Sequence, residues 1–213
     1  MLEMLLSLLK GLPASVGITL GAFVLGMILG VPLVLMRRAG HWLPRLLARV
    51  YVDVVRGVPP IVWLFILFFG IGSGSFKLSG MAAAIICFGV ISAAYISEIY
   101  RGGFMAVSKG QAEAVKALGM TGFDGLRYVI APQVLRVSIP SLATFMVSML
   151  KDTAVASTVG VRDIMMFAGQ EAQAAGGGFM PFVLAGLLYI GLSVPVAWFA
   201  RVMDKNLRAK VSK

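Results

Sequence analysis

The strongest constraint on this chain is a series of apolar segments that are each long enough to cross a bilayer. A membrane-spanning helix needs about 20 mostly apolar residues. Five segments meet this requirement, at residues 14–36, 57–76, 78–97, 137–161 and 179–200. Only 13% of the 213 residues are charged, against about 25% in soluble domains. The sequence therefore predicts an all-α, polytopic membrane protein with about five spans, forming a single transmembrane domain over residues 1–213.

The basic residues predict which ends of the spans lie in the cytoplasm. The net charge is +10, and 15 of the 19 Lys and Arg residues fall within 37–56, 101–136 and 201–213. These stretches share one side of the membrane if the first span runs inward, and cytoplasmic loops carry the excess of Lys and Arg. We expect a multi-pass protein of a cytoplasmic (inner) membrane, with its N-terminus outside and its C-terminus in the cytoplasm. The basic blocks separate apolar runs, so nucleic acid is not the expected partner.

The loop at 101–136 is basic but has helix signals. Ser108 and Gln111 have the spacing of a capping box, in which each side chain accepts from or reaches a free amide at the helix start. Gly119 is placed to end that helix in the left-handed conformation. A second short helix is expected to stop at Pro132. From composition alone, this loop could equally be a solvated basic face.

The same loop resembles a known family motif. After Gln111 it contains Glu113, Ala114, Val115, Leu118 and Gly119, and Pro132 follows after further residues at the family spacing. This is similar to the Glu-Ala-Ala loop of permeases of ATP-binding-cassette (ABC) importers. Three other stretches, Arg56–Pro59, Ala94–Gly102 and Lys151–Thr153, are similar to the branch that carries polar amino acids, with its glutamate/aspartate- and histidine-type permeases.

The resemblance implies a function and a set of partners. The chain would be the permease subunit of an amino-acid importer, in the lipid bilayer, together with a second permease subunit, identical or homologous. An ABC ATPase dimer would bind the cytoplasmic loop, and an external solute-binding protein would deliver the amino acid. Gln111, Glu113, Ala114, Val115, Leu118, Gly119 and Pro132 would form the element that couples ATP hydrolysis to transport. The chain has no G-x-x-x-x-G-K-[ST] motif, so we expect no cofactor of its own, with ATP bound by the partner.

Two consecutive charges interrupt the fourth predicted span. Lys151 and Asp152 are followed by Thr153, and charges at the bilayer centre cost roughly 2.5–3.5 kcal/mol on insertion scales, so they normally face a cavity or each other. We interpret the three residues as part of the substrate path. The alternative is a structural ion pair that fixes helix packing.

The remaining polar residues give no sign of an active site. Glu98 and Arg101 are three apart on one helix face, and we interpret them as an ion pair at a helix end. With one His and one Cys, the chain has no obvious metal site, and no catalytic residues are expected. A membrane-embedded enzyme would need a convergent acid–base or nucleophilic set, and a channel would need a filter or a ring of charges. Neither pattern is present.

Overall fold

A computed structural model describes residues 1–72 and 77–211, with side chains through residue 204. All the secondary-structure elements of these residues are helices, joined by short turns and loops. In chain order it comprises α1 (Leu2–Leu9), α2 (Leu12–Arg37), α3 (Trp42–Gly57), α4 (Pro60–Phe65) with a π-helical turn (Ile66–Ile71), α5 (Gly80–Ala106), α6 (Lys109–Ala117), α7 (Gly122–Asp124) with a π-helical turn (Gly125–Ile130), α8 (Ala131–Asp152) with a 3₁₀ turn (Thr153–Val159), α9 (Ile164–Ala174) and α10 (Met180–Val211). The expected all-α polytopic fold is confirmed.

Four helical stretches are long and apolar enough to cross a membrane: Leu2–Arg37, Gly80–Ala106, Gly122–Val159 and Met180–Asp204. They contain most of the first, third, fourth and fifth predicted spans. Each begins or ends several residues beyond its predicted bound. The bent pair of α3 and α4 raises the number to five if it counts as one span.

The second predicted span, residues 57–76, is shorter as a helix than predicted, because among its described residues beyond Gly57 it is helical only from Pro60 to Ile71. The chain bends by 103° between Trp42–Gly57 and Pro60–Ile71. Val58 has an extended backbone, with φ −110° and ψ 136°, because a following proline disfavours the helical conformation of the residue before it. Pro59 is also extended. Residues 73–76, which would end this span, lie outside the described residues.

The core of the molecule lies between α2 and α5. Gly26 and Gly30 form one of two pairs of glycines spaced four residues apart on α2. Both face α5. A Cβ at Gly26 would lie closer than 3.0 Å to Ser92, and a Cβ at Gly30 would lie 3.2 Å from Ile96. Helix backbones approach this closely only where side chains are small. The other pair, Gly17 and Gly21, is divided: a Cβ at Gly17 would meet nothing within 4 Å, whereas a Cβ at Gly21 would lie 3.3 Å from Ile85 on α5.

The expectation that Pro132 ends a helix is wrong. The helical stretch continues from Gly122 to Val159, and Pro132 lies in the first turn of α8. A proline in the first turn has no intrahelical donor to lose. The wider π turn directly before α8 is a known way for a helix to absorb such an irregularity. As a result, the helix that carries Lys151 and Asp152 begins inside the loop at residues 101–136.

Candidate functional site

The first helix of the loop, α6, has a simpler cap than its sequence predicts. The Ser108 hydroxyl accepts a hydrogen bond from the Gly110 amide at 3.3 Å. Gln111 does not reach back to complete a capping box. Its side-chain oxygen instead accepts from the Gln133 amide nitrogen at 3.0 Å, and Gln133 also donates to the Val129 carbonyl. The capping-box prediction is therefore wrong in its geometry, because a partner on α8 takes the glutamine side chain.

The C-terminus of α6 has the conformation expected from its glycine. Gly119 is left-handed, with φ +66°. Its amide donates to the Lys116 carbonyl, and the Met120 amide donates to the Val115 carbonyl. These two bonds form a Schellman motif, which satisfies carbonyls that would otherwise be free at the helix end. The chain therefore turns sharply from α6 into α7.

One face of α6 packs against the segment that leads into α8 and against the start of α8 itself. Val115 is 8% exposed and packs on Gly125, where a Cβ would lie closer than 3.0 Å to the valine side chain. The Gln111–Gln133 hydrogen bond holds the same face one turn earlier. Two of the predicted coupling residues, Gln111 and Val115, thus position α6 from within this chain.

The opposite face of the loop is free for a partner. Glu113, Ala114 and Pro132 are exposed, and Leu118 is 76% exposed. Phe123, at the start of α7, is 67% exposed. Glu113, Ala114 and Leu118 lie outside the membrane-spanning stretches, so lipid does not account for their exposure, whereas Phe123 and Pro132 lie in the first part of the stretch Gly122–Val159. Exposed large apolar side chains rimmed by polar ones mark protein-binding surfaces.

The charged pair at the end of α8 is only partly arranged as predicted. Lys151 and Asp152 are exposed in the single chain, and no salt bridge joins them among the contacts of the described residues. Thr153 is buried, and its hydroxyl donates to the Leu150 carbonyl at 2.7 Å. Thr153 therefore donates within its own helix in the single chain, and its place in the substrate path stays a prediction. The helix tightens here into a 3₁₀ turn that ends at the left-handed Gly160.

Asp152 lines a cavity of about 220 Å³ between α5, α4 and α8. The same cavity is lined by Ser92, Tyr95, Phe145 and Ser148. With Phe88, which also lines it, the cavity combines one carboxylate, two hydroxyl groups of serine and three aromatic rings. Such a mixture of few polar groups and apolar walls is typical of small-molecule sites.

The predicted ion pair of Glu98 and Arg101 is present and has a third member. The Arg101 guanidinium contacts the Glu98 carboxylate at 2.8–2.9 Å. Arg37, the last residue of α2, forms a salt bridge with the other oxygen of Glu98. The carboxylate therefore links α2 to α5 beside the loop. The local pattern i, i+3 predicted Arg101, but Arg37 is 61 positions away and no local pattern predicts it.

A stack of three side chains was also not predicted. The rings of Tyr95 and Phe145 stack with centroids 5.2 Å apart and planes 19° apart. The Arg56 guanidinium carbon lies 4.9 Å from the centre of the Tyr95 ring. Arg56 and Tyr95 lie in two of the stretches that resemble permeases, and the sequence offers no other signal for this stack. In the described part of the chain, no group of three or more His, Cys, Asp or Glu residues could hold a metal ion.

This arrangement defines a polytopic helical membrane protein with a short helix, α6, packed against the start of α8 in the loop between two of its spans. The chain belongs to the family described as the binding-protein-dependent transport system inner membrane component, which it matches over residues 8–209. The resemblance expected from the loop motif is thereby confirmed.

Relatives and solved structures agree with this assignment. A probable amino-acid ABC transporter permease of Bacillus subtilis (strain 168), YckA, is 32% identical over 202 residues, covering 93% of this chain and 88% of the relative. The arginine transport permease ArtQ of the same organism is 30% identical, covering 95% and 93%. A crystal structure of an amino acid ABC transporter with histidines is 27% identical, with a TM-score of 0.88 over 97% of this chain and 96% of that one. The methionine transporter MetNI, 18% identical with a TM-score of 0.79, shares the fold.

Proposed function

We propose that this chain is the permease subunit of an ATP-driven importer that moves an amino acid across a bacterial cytoplasmic membrane by alternating access. The observation that carries the proposal is the fastened helix α6, with Glu113, Ala114 and Leu118 exposed on its outer face. A helix held by Val115 and Gln111 can transmit a push from a bound protein to the spans. The family assignment and the amino-acid permeases among the relatives support the same function.

We propose that the ATPase is a separate dimer and that α6 binds to its surface. Closure of such a dimer on ATP would favour one of two arrangements of the spans, which is a rigid-body switch driven by differential binding. α7 and its π turn lead directly into α8, so a displacement of α6 is passed to the helix that carries Asp152. A second permease subunit and an external solute-binding protein complete the proposed assembly.

The docking role of α6 can be tested with two charge reversals. Glu113→Lys changes the exposed face of α6, and Lys77→Glu makes the opposite change at an exposed residue next to α5, at the far end of that helix from the loop. We expect Glu113→Lys to reduce co-purification of the ATPase and uptake while the chain still inserts. Lys77→Glu should leave ATPase binding unchanged. Equal ATPase binding by the two variants would contradict the docking role.

The orientation of the chain is proposed from its basic residues, with the loop, residues 38–50 and the C-terminus in the cytoplasm. Reporter fusions test it independently of transport. Fusions after residue 120 and after residue 204 should be active only with cytoplasmic reporters. Activity of an external reporter at either position would contradict the proposed topology.

Lys151 and Asp152 are proposed to belong to the substrate path, together with the cavity that Asp152 lines. Asp152→Asn should then reduce uptake while the complex still assembles. A purely structural pair gives the opposite result, because an unpaired buried charge costs about 3–5 kcal/mol and would lower assembly.

The double change Lys151→Met with Asp152→Leu separates the two roles. A structural pair that is replaced by apolar residues is often neutral or stabilising, and transport should then return. A substrate contact should recover assembly only. Full uptake by the double variant would refute the substrate-path role.

A further inference from the structure

Three cavities follow one another along α8: the first two lie in its groove with α5, and the third lies mainly between α8 and α10. The first, with Asp152 and Ser148, has a volume of about 220 Å³, or room for about seven waters at roughly 30 Å³ each. The second, of about 480 Å³, is lined by Arg56, Glu98 and Ser138. The third, of about 590 Å³, is lined by Pro140, Thr144 and Arg201. Because α5 and α8 are antiparallel along this groove, the second and third cavities lie toward the loop end of the molecule and the first lies toward the other end.

The wall between the first cavity and the other two consists of the stacked rings. Tyr95 lines both the first and the second cavity, and Phe145 lines both the first and the third. Each ring thus has one side toward Asp152 and another toward the loop end. The ring pair lies where a passage along the groove would have to cross from one cavity to the next.

Arg56 lies against Tyr95 on the loop side of this wall. Its guanidinium carbon is 4.9 Å from the ring centre, and it lines the second cavity and not the first. Arg56 is next to Gly57, where α3 ends and the chain bends by 103° into α4. Arg56 is on α3 and Tyr95 is on α5. A change in the bend that moves α3 relative to α5 would therefore move the guanidinium relative to the ring.

We propose that the Tyr95–Phe145 stack is a gate that separates the Asp152 cavity from the loop-side cavities, and that Arg56 holds it closed. The inference rests on the proposed transport function, since a gate needs a path. The stack joins α5 to α8, so any movement that separates these helices opens it. The bend beside Arg56 and the loop-to-α8 connection give two routes by which movement of the loop would reach the ring pair.

The chemistry of the wall suits passage of an amino acid. Aromatic faces attract an ammonium group through their quadrupole, and Arg56 offers a guanidinium to a carboxylate. A zwitterion leaving the Asp152 cavity would therefore meet a partner for each of its charges at the gate. A gate with these properties slows water without repelling the substrate.

The gate can be tested by the accessibility of a single cysteine on each side of it. In the assembled transporter with Cys87→Ala, a cysteine is placed by Ser148→Cys in the first cavity or by Ser141→Cys in the loop-side cavities. A membrane-impermeant methanethiosulfonate is applied from the loop side of membrane vesicles. Labelling by this reagent requires neither substrate nor ATP, so it does not depend on whether the proposed function is correct.

The expected result is a selective increase in labelling beyond the gate. Tyr95→Ala and Phe145→Ala should each raise the labelling rate of Ser148→Cys about tenfold or more, the change in population that corresponds to losing such a ring contact and its buried area. Tyr95→Phe keeps the ring and should leave the rate low. Arg56→Gln should give a smaller rise of about two- to fivefold.

The Ser141→Cys rate separates an opened gate from a loosened subunit. It should stay the same in all variants, because this position already faces the loop side. A Ser148→Cys rate that is equal in the Tyr95→Phe and Tyr95→Ala backgrounds would overturn the gate. An equal rise at both cysteines would also overturn it, since the rings would then stabilise packing in general and not a partition.

Discussion

The attachment of α6 to the start of α8 predicts the effect of adding one methyl group at Gly125. An alanine Cβ at this position would lie closer than 3.0 Å to Cγ1 of Val115, 3.1 Å from its Cγ2 and 3.2 Å from its Cβ. Valine has one rotatable side-chain bond and the contact involves all its outer atoms, so relief requires α6 itself to shift. Overpacking of this kind costs about 1–3 kcal/mol.

That cost applies to the equilibrium between two states of α6, one packed against Gly125 (seated) and one moved away from it (displaced). At 1.4 kcal/mol per factor of ten, 1–3 kcal/mol corresponds to about a 5- to 150-fold rise in the displaced population. Amide hydrogen exchange at residues 109–117 measures it directly, because displaced α6 loses the protection that its attachment provides. We expect faster exchange in α6 of Gly125→Ala, and a parallel loss of uptake with normal insertion.

Two further variants make the prediction specific. Gly122→Ala adds the same methyl group three residues earlier, where nothing lies within 4 Å, and should leave exchange and uptake near their normal values. Val115→Ala removes the two methyl groups that clash, at a cost of about 1.6 kcal/mol on its own. Combined with Gly125→Ala it should recover part of the loss. If Gly125→Ala exchanges like Gly122→Ala, or if the double variant shows the sum of both losses, the attachment described for α6 is wrong.

Two more predictions concern stability. Gly26→Ala should lower the stability of the subunit by about 1–3 kcal/mol, because its Cβ would press on the Ser92 backbone, whereas Gly17→Ala meets open space; equal melting temperatures would contradict the packing. Asp163 is fully buried at the start of α9, between the membrane-spanning stretches, and burial raises its pKa from about 3.8 to about 6, against the opposing Met166 amide. The folded state then holds its proton more tightly than the unfolded state, so stability should fall by up to about 3 kcal/mol as pH rises from 4 through 6. Asp163→Asn should flatten that slope in thermal unfolding at pH 4.5–7.5, and an unchanged slope would contradict the assignment.

Local patterns in the sequence predict much of this structure. The left-handed Gly119 and the Glu98–Arg101 pair depend on neighbours within one or two turns, and both are present. The bend at Val58 falls at the predicted start of the second span, where the two prolines that follow disfavour a continuous helix. Length and hydropathy locate a span but do not determine whether it is straight.

Contacts between distant residues account for what the sequence did not predict. Gln111 has the spacing of a capping residue, yet Gln133 on another helix takes its side chain. Tyr95 meets Phe145 only because α5 packs on α8. Periodicity assigns a residue to a face of its own helix, but the partner across the interface depends on how the helices are arranged in three dimensions.

The most direct test of the account is the ATP dependence of amino-acid uptake by the purified transporter. Proteoliposomes containing this chain, its ATPase and its external binding protein are given a mixture of radiolabelled amino acids, with hydrolysable or non-hydrolysable ATP on the loop side. We expect accumulation of at least one amino acid against its gradient, only with hydrolysable ATP, and its loss in Gly125→Ala but not in Gly122→Ala. Equal accumulation with the non-hydrolysable nucleotide, or hydrolysis of ATP without accumulation of any amino acid, would contradict the proposed function.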